Sequence, residues 1–296
     1  MVRIASVCAR ACVSVCAAVL AAIGAAAAQP AKPPTQPEAI AQFVSAFITP
    51  TRTTGRMARW ENGICPLTAG QQPAVTAFVT QRVKEVAALV GAPVNSDPSC
   101  RPNIEIVFSR IPQDLLDNIR DNQSDYLGYA DSSAERQKLA TVTRPIQAWY
   151  TTQTVDQRGK GRIDGARSVG RGATEAMGDA TFVRATGSLI KDGVRSAFYH
   201  IIIVADDTKL TGYEAGPMAD YIAMLALTQL NSLDICQPLF SIENMMAKGC
   251  EAKTGKLTDN DIAYLRGVYR MSPDRKQLSS QKNDIVDVMN QALNGP

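Results

Sequence analysis

From residue 71 to residue 91 the chain reads QQPAVTAFVTQRVKEVAALVG, and its apolar side chains recur at steps of three and four: Val75, Phe78, Val79, Val83, Val86 and Leu89/Val90. That period predicts an amphipathic helix laying one face on a sheet, with Gly91 placed to stop it. IAQFVSAFI, from Ile40, carries a shorter helical pattern. NIEIVFS, residues 103–109, alternates as a strand does, and RPIQAWYTTQT supplies a second β-prone run containing Trp149 and Tyr150. Between them PQDLLDNIRDN and SSAERQKLA form two polar helical candidates separated by SDYLGYAD. TFVRATGSLIKDGVRSAFYHIIIVAD predicts a strand, a turn at Asp192-Gly193 and a second strand, which is continuously apolar at IIIVAD and therefore central in its sheet.

The next segment, GPMADYIAMLALTQLNSLD at residues 216–234, is apolar apart from one acid near its start, Asp220. Tyr221, Met224, Leu225 and Leu227 cover most of a helix circumference, so this helix should be buried. Asp220 is expected either to stabilise the positive helix end or to open as a carboxylate into a cleft. LTDNDIAYLRGVY, residues 257–269, has Thr258 as N-cap with Asp261 completing an acidic capping box, and QKNDIVDVMNQALNG closes the chain as a final amphipathic helix. With no internal repeat, residues 39–296 read as one α+β domain.

Composition changes the picture mainly at the N-terminus. Residues 1–28 hold Arg3 and Arg10 and an apolar Ala/Val/Cys stretch ending in GAAAAQ, which predicts a signal peptide cut between Ala28 and Gln29. The stretch is too short and too poor in Leu and Ile for a membrane span. A lipoprotein signal is the alternative, but Val15 before Cys16 fits poorly the small residue that such processing prefers. QPAKPPTQPE, residues 29–38, predicts an extended Pro-rich linker. Removing Arg3 and Arg10 lowers the formal charge from +3 to +1, so bulk charge does not point to nucleic acid.

Of seven cysteines, Cys8, Cys12 and Cys16 lie in the signal, leaving Cys65, Cys100, Cys236 and Cys250. In an oxidising compartment four suggest two disulfides, with three possible pairings. Cys65–Cys100 and Cys236–Cys250 are favoured because each closes a local loop. A zinc site is disfavoured, because no CxxC spacing occurs and the single histidine, His200, is remote in sequence.

His200 also limits nucleophile chemistry, since any Ser-His-Asp or Cys-His arrangement would have to use it, and it sits inside a predicted strand. Asp206, Asp207, Glu214 and Asp220 lie in one region and keep paired-carboxylate chemistry open, against an aromatic content of 6% that is low for a sugar cleft. DQRGKGRIDGARSVGRGATEAMGD, residues 156–179, reads as a surface loop. Its Glu175 breaks the GxGxxG spacing, and no GK[ST] follows.

The order of elements, with SIENMM between the buried helix and LTDNDIAYLRGVY, resembles the zincin metallopeptidases, above all the matrixin-like metzincins. In those proteins the buried helix carries HExxHxxGxxH, a methionine turn follows, and a closing helix opens on a similar string. Here Leu257, Thr258, Asp261, Ile262 and Tyr269 match that string, and Met245 or Met246 matches the turn. In that register Asp220 stands where the general-base glutamate would be. Ala219 and Ala223 replace two zinc-binding histidines, Ala226 the glycine, and Gln229 the third histidine. Alanine offers a metal no lone pair, so the resemblance implies a zincin-like mixed sheet with a long packing helix, a buried central helix and C-terminal helices, without the metal and without peptidase chemistry. The chain is also similar to uncharacterised exported bacterial proteins sharing Arg59-Trp60…Cys65-Pro66, Cys100-Arg101-Pro102-Asn103, Pro145…Ala148-Trp149-Tyr150 and Ala219-Asp220-Tyr221…Ala223-Met224.

Together these readings predict a periplasmic or secreted pseudoenzyme, without cofactor, nucleic-acid partner or transmembrane anchor in its mature form. It would bind a peptide, an envelope protein or a small ligand in a cleft lined by Asp220, Tyr221, Gln229 and Trp149. The alternative is a metal-independent hydrolase using carboxylates around Asp220.

Overall fold

In the computed structural model, which describes residues 35–165, 193–231, 233–251 and 253–295, the sheet is built around its most apolar strand. That strand, β6 (Val194–Asp206), is flanked by β3 (Ile104–Ser109) in parallel and by β4 (Ile146–Asp156) antiparallel. β2 (Pro66–Ala69) continues the sheet beyond β3, and β5 (Gly161–Ile163) beyond β4. β1 (Ala58–Arg59) pairs with the beginning of β6, completing a mixed six-stranded sheet. With seven helices among the described residues, the fold is α+β, as the sequence predicts.

Residue alternation sorts the side chains onto two faces. Ile104, Ile106, Ile201, Ile203 and Ile146 point into the larger core, under α1 (Gln36–Phe47), α2 (Pro73–Val90), α5 (Ala215–Leu227), α6 (Asp259–Arg270) and α7 (Leu278–Asn294). Trp149, Ile202 and Val204 point the other way, into a small core with Leu116 and Ala140 from α3 (Pro112–Gln123) and the end of α4 (Ser133–Leu139).

Most predicted elements are present, with corrections. α1 begins at Gln36, inside the stretch expected to be an extended linker. α2 has Pro in its first turn and ends on Gly91 in the left-handed conformation at φ 82°, as its pattern requires, but its buried stripe is Val79, Val83, Val86, Ala87 and Val90. Phe78 and Leu89 lie on the shoulders of that stripe, 44% and 48% exposed. The start of the Gly/Arg-rich stretch is a hairpin: β5 pairs with Gln153–Val155 of β4, because Asp156 folds the turn by accepting the amides of Arg158 and Lys160. The remainder of that stretch, the expected strand at 181–190, residue 192 of the expected turn, the signal segment and linker residues 29–34 lie outside the described residues. Cys65–Cys100 and Cys236–Cys250 are the disulfides, the favoured pairing. Among the described residues no helix is long and apolar enough to cross a membrane.

The buried helix α5 owes its seat to its neighbours' polar groups. Its last carbonyls would be orphaned inside the core. Trp60 donates its indole N–H to Ala226 at 2.8 Å, the Tyr150 hydroxyl bonds Leu225 and Thr228 at 2.9 and 3.2 Å, and the Tyr269 hydroxyl bonds Leu227 at 2.8 Å. The capping box of α6 is present as predicted. Its Asp261 also accepts from the Ser241 hydroxyl at 2.5 Å and from the Ile242 amide at 2.9 Å, which ties the SIENMM turn to α6.

Candidate functional site

β4 has an open side. Asp206 donates its amide to the Pro145 carbonyl at 2.7 Å, and Ile146 lies opposite Ala205. In an antiparallel ladder this parity turns the peptide groups of Gln147, Trp149 and Thr151 toward β6 and those of Ile146, Ala148 and Tyr150 outward. β5 covers only Gln153–Val155 on that outer side. Among the described residues no strand covers Ile146–Tyr150 there, and Gly128 closes the stretch. Gly128 has φ 95°, and a Cβ built on it would fall 2.6 Å from the Tyr150 carbonyl oxygen.

This edge opens into a cleft of about 560 Å³. One wall is the segment from Leu127 to Thr143, and the other is the loop after α5 with Gln229, Leu230 and Leu233; Pro50 to Arg52 close one end. The wall segment is clamped by Arg52, whose guanidinium meets Asp131 at 2.5 Å and Glu135 at 3.2 Å and lies 5.3 Å above the Tyr129 ring. Opposite, Arg144 makes a two-pronged contact with Asp234, Nε to Oδ1 at 3.0 Å and Nη2 to Oδ2 at 2.5 Å. Each member of that pair favours the other's charge: the hydrogen bond raises the Arg144 pKa and lowers that of Asp234. Lys138 lines the cleft with no ion pair among the described residues.

Of the four residues expected to line a site, Trp149 and Gln229 do so, and Asp220 and Tyr221 do not. Trp149 is 3% exposed and spends its indole N–H on the Leu139 carbonyl, so it forms part of the wall and offers no stacking platform. The Gln229 side chain has no hydrogen bond among the described residues and stays available to a ligand. Asp220 is buried on the other side of α5, bound by Arg82 Nε at 2.5 Å and by the Leu257 amide at 2.9 Å. It caps no helix end, since the residue at that position of α5 is Glu214.

Tyr221 is fully buried, and its hydroxyl makes no well-formed hydrogen bond among the described residues, although it lies close enough to Glu243 for each to affect the other's titration. Glu243 is 1% exposed, and its carboxyl oxygens likewise make no well-formed hydrogen bond among the described residues. Burial pushes the Glu243 pKa well above the ordinary glutamate range, and the charge of Asp261 adds to this; the Tyr221 hydroxyl and Arg144 offset part of it.

His200 points to the small-core face, where Nε2 lies 3.3 Å from Glu105 Oε1 and the ring packs on Tyr126. The sheet therefore separates it from Asp220. Asp206 is occupied by Thr208 and Lys209, and Asp207 by Gln71. Ala219, Ala223 and Ala226 are all fully buried in the larger core, and among the described residues no cluster of three or more His, Cys, Asp or Glu could hold a metal ion.

Sequence reading missed Arg144, Gly128 and Glu243. Arg144-Pro145 carried one available signal: proline has no N–H to give the ladder, so a β-prone run beginning at Pro145 is more at home at a sheet edge than at its centre. Nothing local marked Asp234 as its partner, 90 residues away. No family model, no curated protein and no solved structure matches this chain.

Proposed function

We propose that this protein is an exported, non-catalytic binding domain that takes an extended peptide as an added strand on the outer edge of β4. The signal pattern and the two disulfides support a periplasmic or secreted location. A metal-free zincin-like shell is the architecture this reading favours. The observation that carries the function is the outward-facing backbone that starts at Ile146 and is closed by Gly128 at Tyr150, over which no strand lies among the described residues, on the floor of a cleft about 560 Å³ in volume. Strand addition draws its affinity from main-chain hydrogen bonds and needs no catalytic group. A hydrolase built on carboxylates around Asp220 has less support, because Asp220 is committed to Arg82 and Leu257 and lies across the sheet from His200.

The test uses decapeptides selected for binding from a random fluorescent library, with fluorescence anisotropy as readout. Ala148→Pro removes an N–H that faces outward and leaves the β6 ladder intact. It is expected to weaken binding at least about tenfold, as the loss of one well-made hydrogen bond and strand fit would, with an unchanged circular-dichroism spectrum. Undiminished binding by a folded Ala148→Pro variant, or a library that yields no binder, overturns the reading.

A further inference from the structure

The cleft holds three cations, and they are not equivalent. Arg52 is committed twice over, to Asp131 and Glu135, and under it lies the Tyr129 ring. Lys138 is an exposed point charge. Arg144 differs from both: its side chain is only 28% exposed, it precedes the first residue of β4 on the cleft's lining, and its counter-ion Asp234, which follows the lining residue Leu233, is 75% exposed. Asp234 occupies Nε and Nη2, while Nη1 has no partner among the described residues.

The acid nearby, Glu243, makes no hydrogen bond to this guanidinium, and burial disfavours its charged form. A guanidinium fork reads carboxylates in two-pronged geometry, and exchanging one exposed carboxylate for another costs little desolvation. Resting on the peptide reading above, we propose that Asp234 is a built-in stand-in for a ligand carboxylate, and that the peptide taken by the cleft presents an acidic side chain or a free C-terminal carboxylate to Arg144.

The probe is the tightest peptide from the same library, prepared in three forms: with acidic side chains and a free C-terminus, amidated at the C-terminus, and amidated with every Asp and Glu changed to Asn and Gln. The first form is expected to bind wild-type protein about tenfold more tightly than the third. The second form tells the two sources of carboxylate apart. It binds like the first if a side chain meets Arg144, and like the third if the C-terminus does.

Asp234→Asn, at an exposed position, is expected to tighten the carboxylate-bearing form roughly three- to tenfold and to leave the third form unchanged. Arg144→Gln should erase the difference among forms, and Arg144→Lys should restore only part of it because the fork is lost. Equal affinity of all three forms, or no gain from Asp234→Asn, overturns the proposal while leaving strand addition standing if Ala148→Pro still weakens binding at least about tenfold. A library with no binder overturns both.

Discussion

Asp220 shows how one residue type can invite the wrong chemistry. A single acid in an apolar helix reads as a cap or a cleft carboxylate, yet its partners are a guanidinium from α2 and an amide that follows it by 37 residues. Neither was visible locally, because an ion pair between two packed helices leaves no periodicity in either one. Asp220→Ala should therefore act on the fold: a loss of about 2–3 kcal/mol in urea denaturation, with ligand affinity unchanged. Glu243 makes the opposite prediction. Its folded-state pKa is raised, so its contribution to stability is fully present below the ordinary glutamate pKa and is lost as pH rises through the folded value. Glu243→Gln should flatten that decline and raise the melting temperature at neutral pH relative to wild type. A melting curve for the variant that still falls with pH in parallel with wild type would assign the slope to another group.

At the scale of elements, β4 joins the cleft to the core. Its outward backbone forms the cleft floor, while its alternate side chains enter the two cores, and the Tyr150 hydroxyl reaches the carbonyl end of α5. Hydrophobic alternation made the existence of β3, β4 and β6 legible, and the capping box and Gly91 fixed two helix ends, because these signals are local. β1, β2 and β5 were missed, being two to four residues long and held by pairing alone. Gly128 belongs to the same class of long-range constraint. Gly128→Ala must adopt a positive φ and push against the Tyr150 carbonyl, so it should cost at least about 1 kcal/mol and lower the melting temperature by about 2–4 °C. It should also weaken peptide binding by shifting the cleft floor.

For the molecule as a whole, the disulfide Cys236–Cys250 spans 14 positions and braces the loop that follows Asp234. Replacing both cysteines by serine should lower stability by about 3 kcal/mol, measured by denaturant unfolding under non-reducing conditions. The pairing could be favoured from sequence because loop closure depends on separation along the chain. The cleft could not be read in advance, since its walls come from three segments that only the fold brings together.

A strand edge over which no strand lies among the described residues also has a cost: it is a template on which a second copy of the same edge can pair, the first step toward aggregation. The Arg52 clamp answers this. It ties the segment that begins at Gly128 to the loop at Arg52, keeping that segment on the rim of the cleft beside β4. Arg52→Ala should release the segment, and sedimentation velocity should then reveal concentration-dependent self-association that the unmodified protein does not show. If the edge takes peptides as proposed, the clamp separates the binding of one chain from the growth of a fibril.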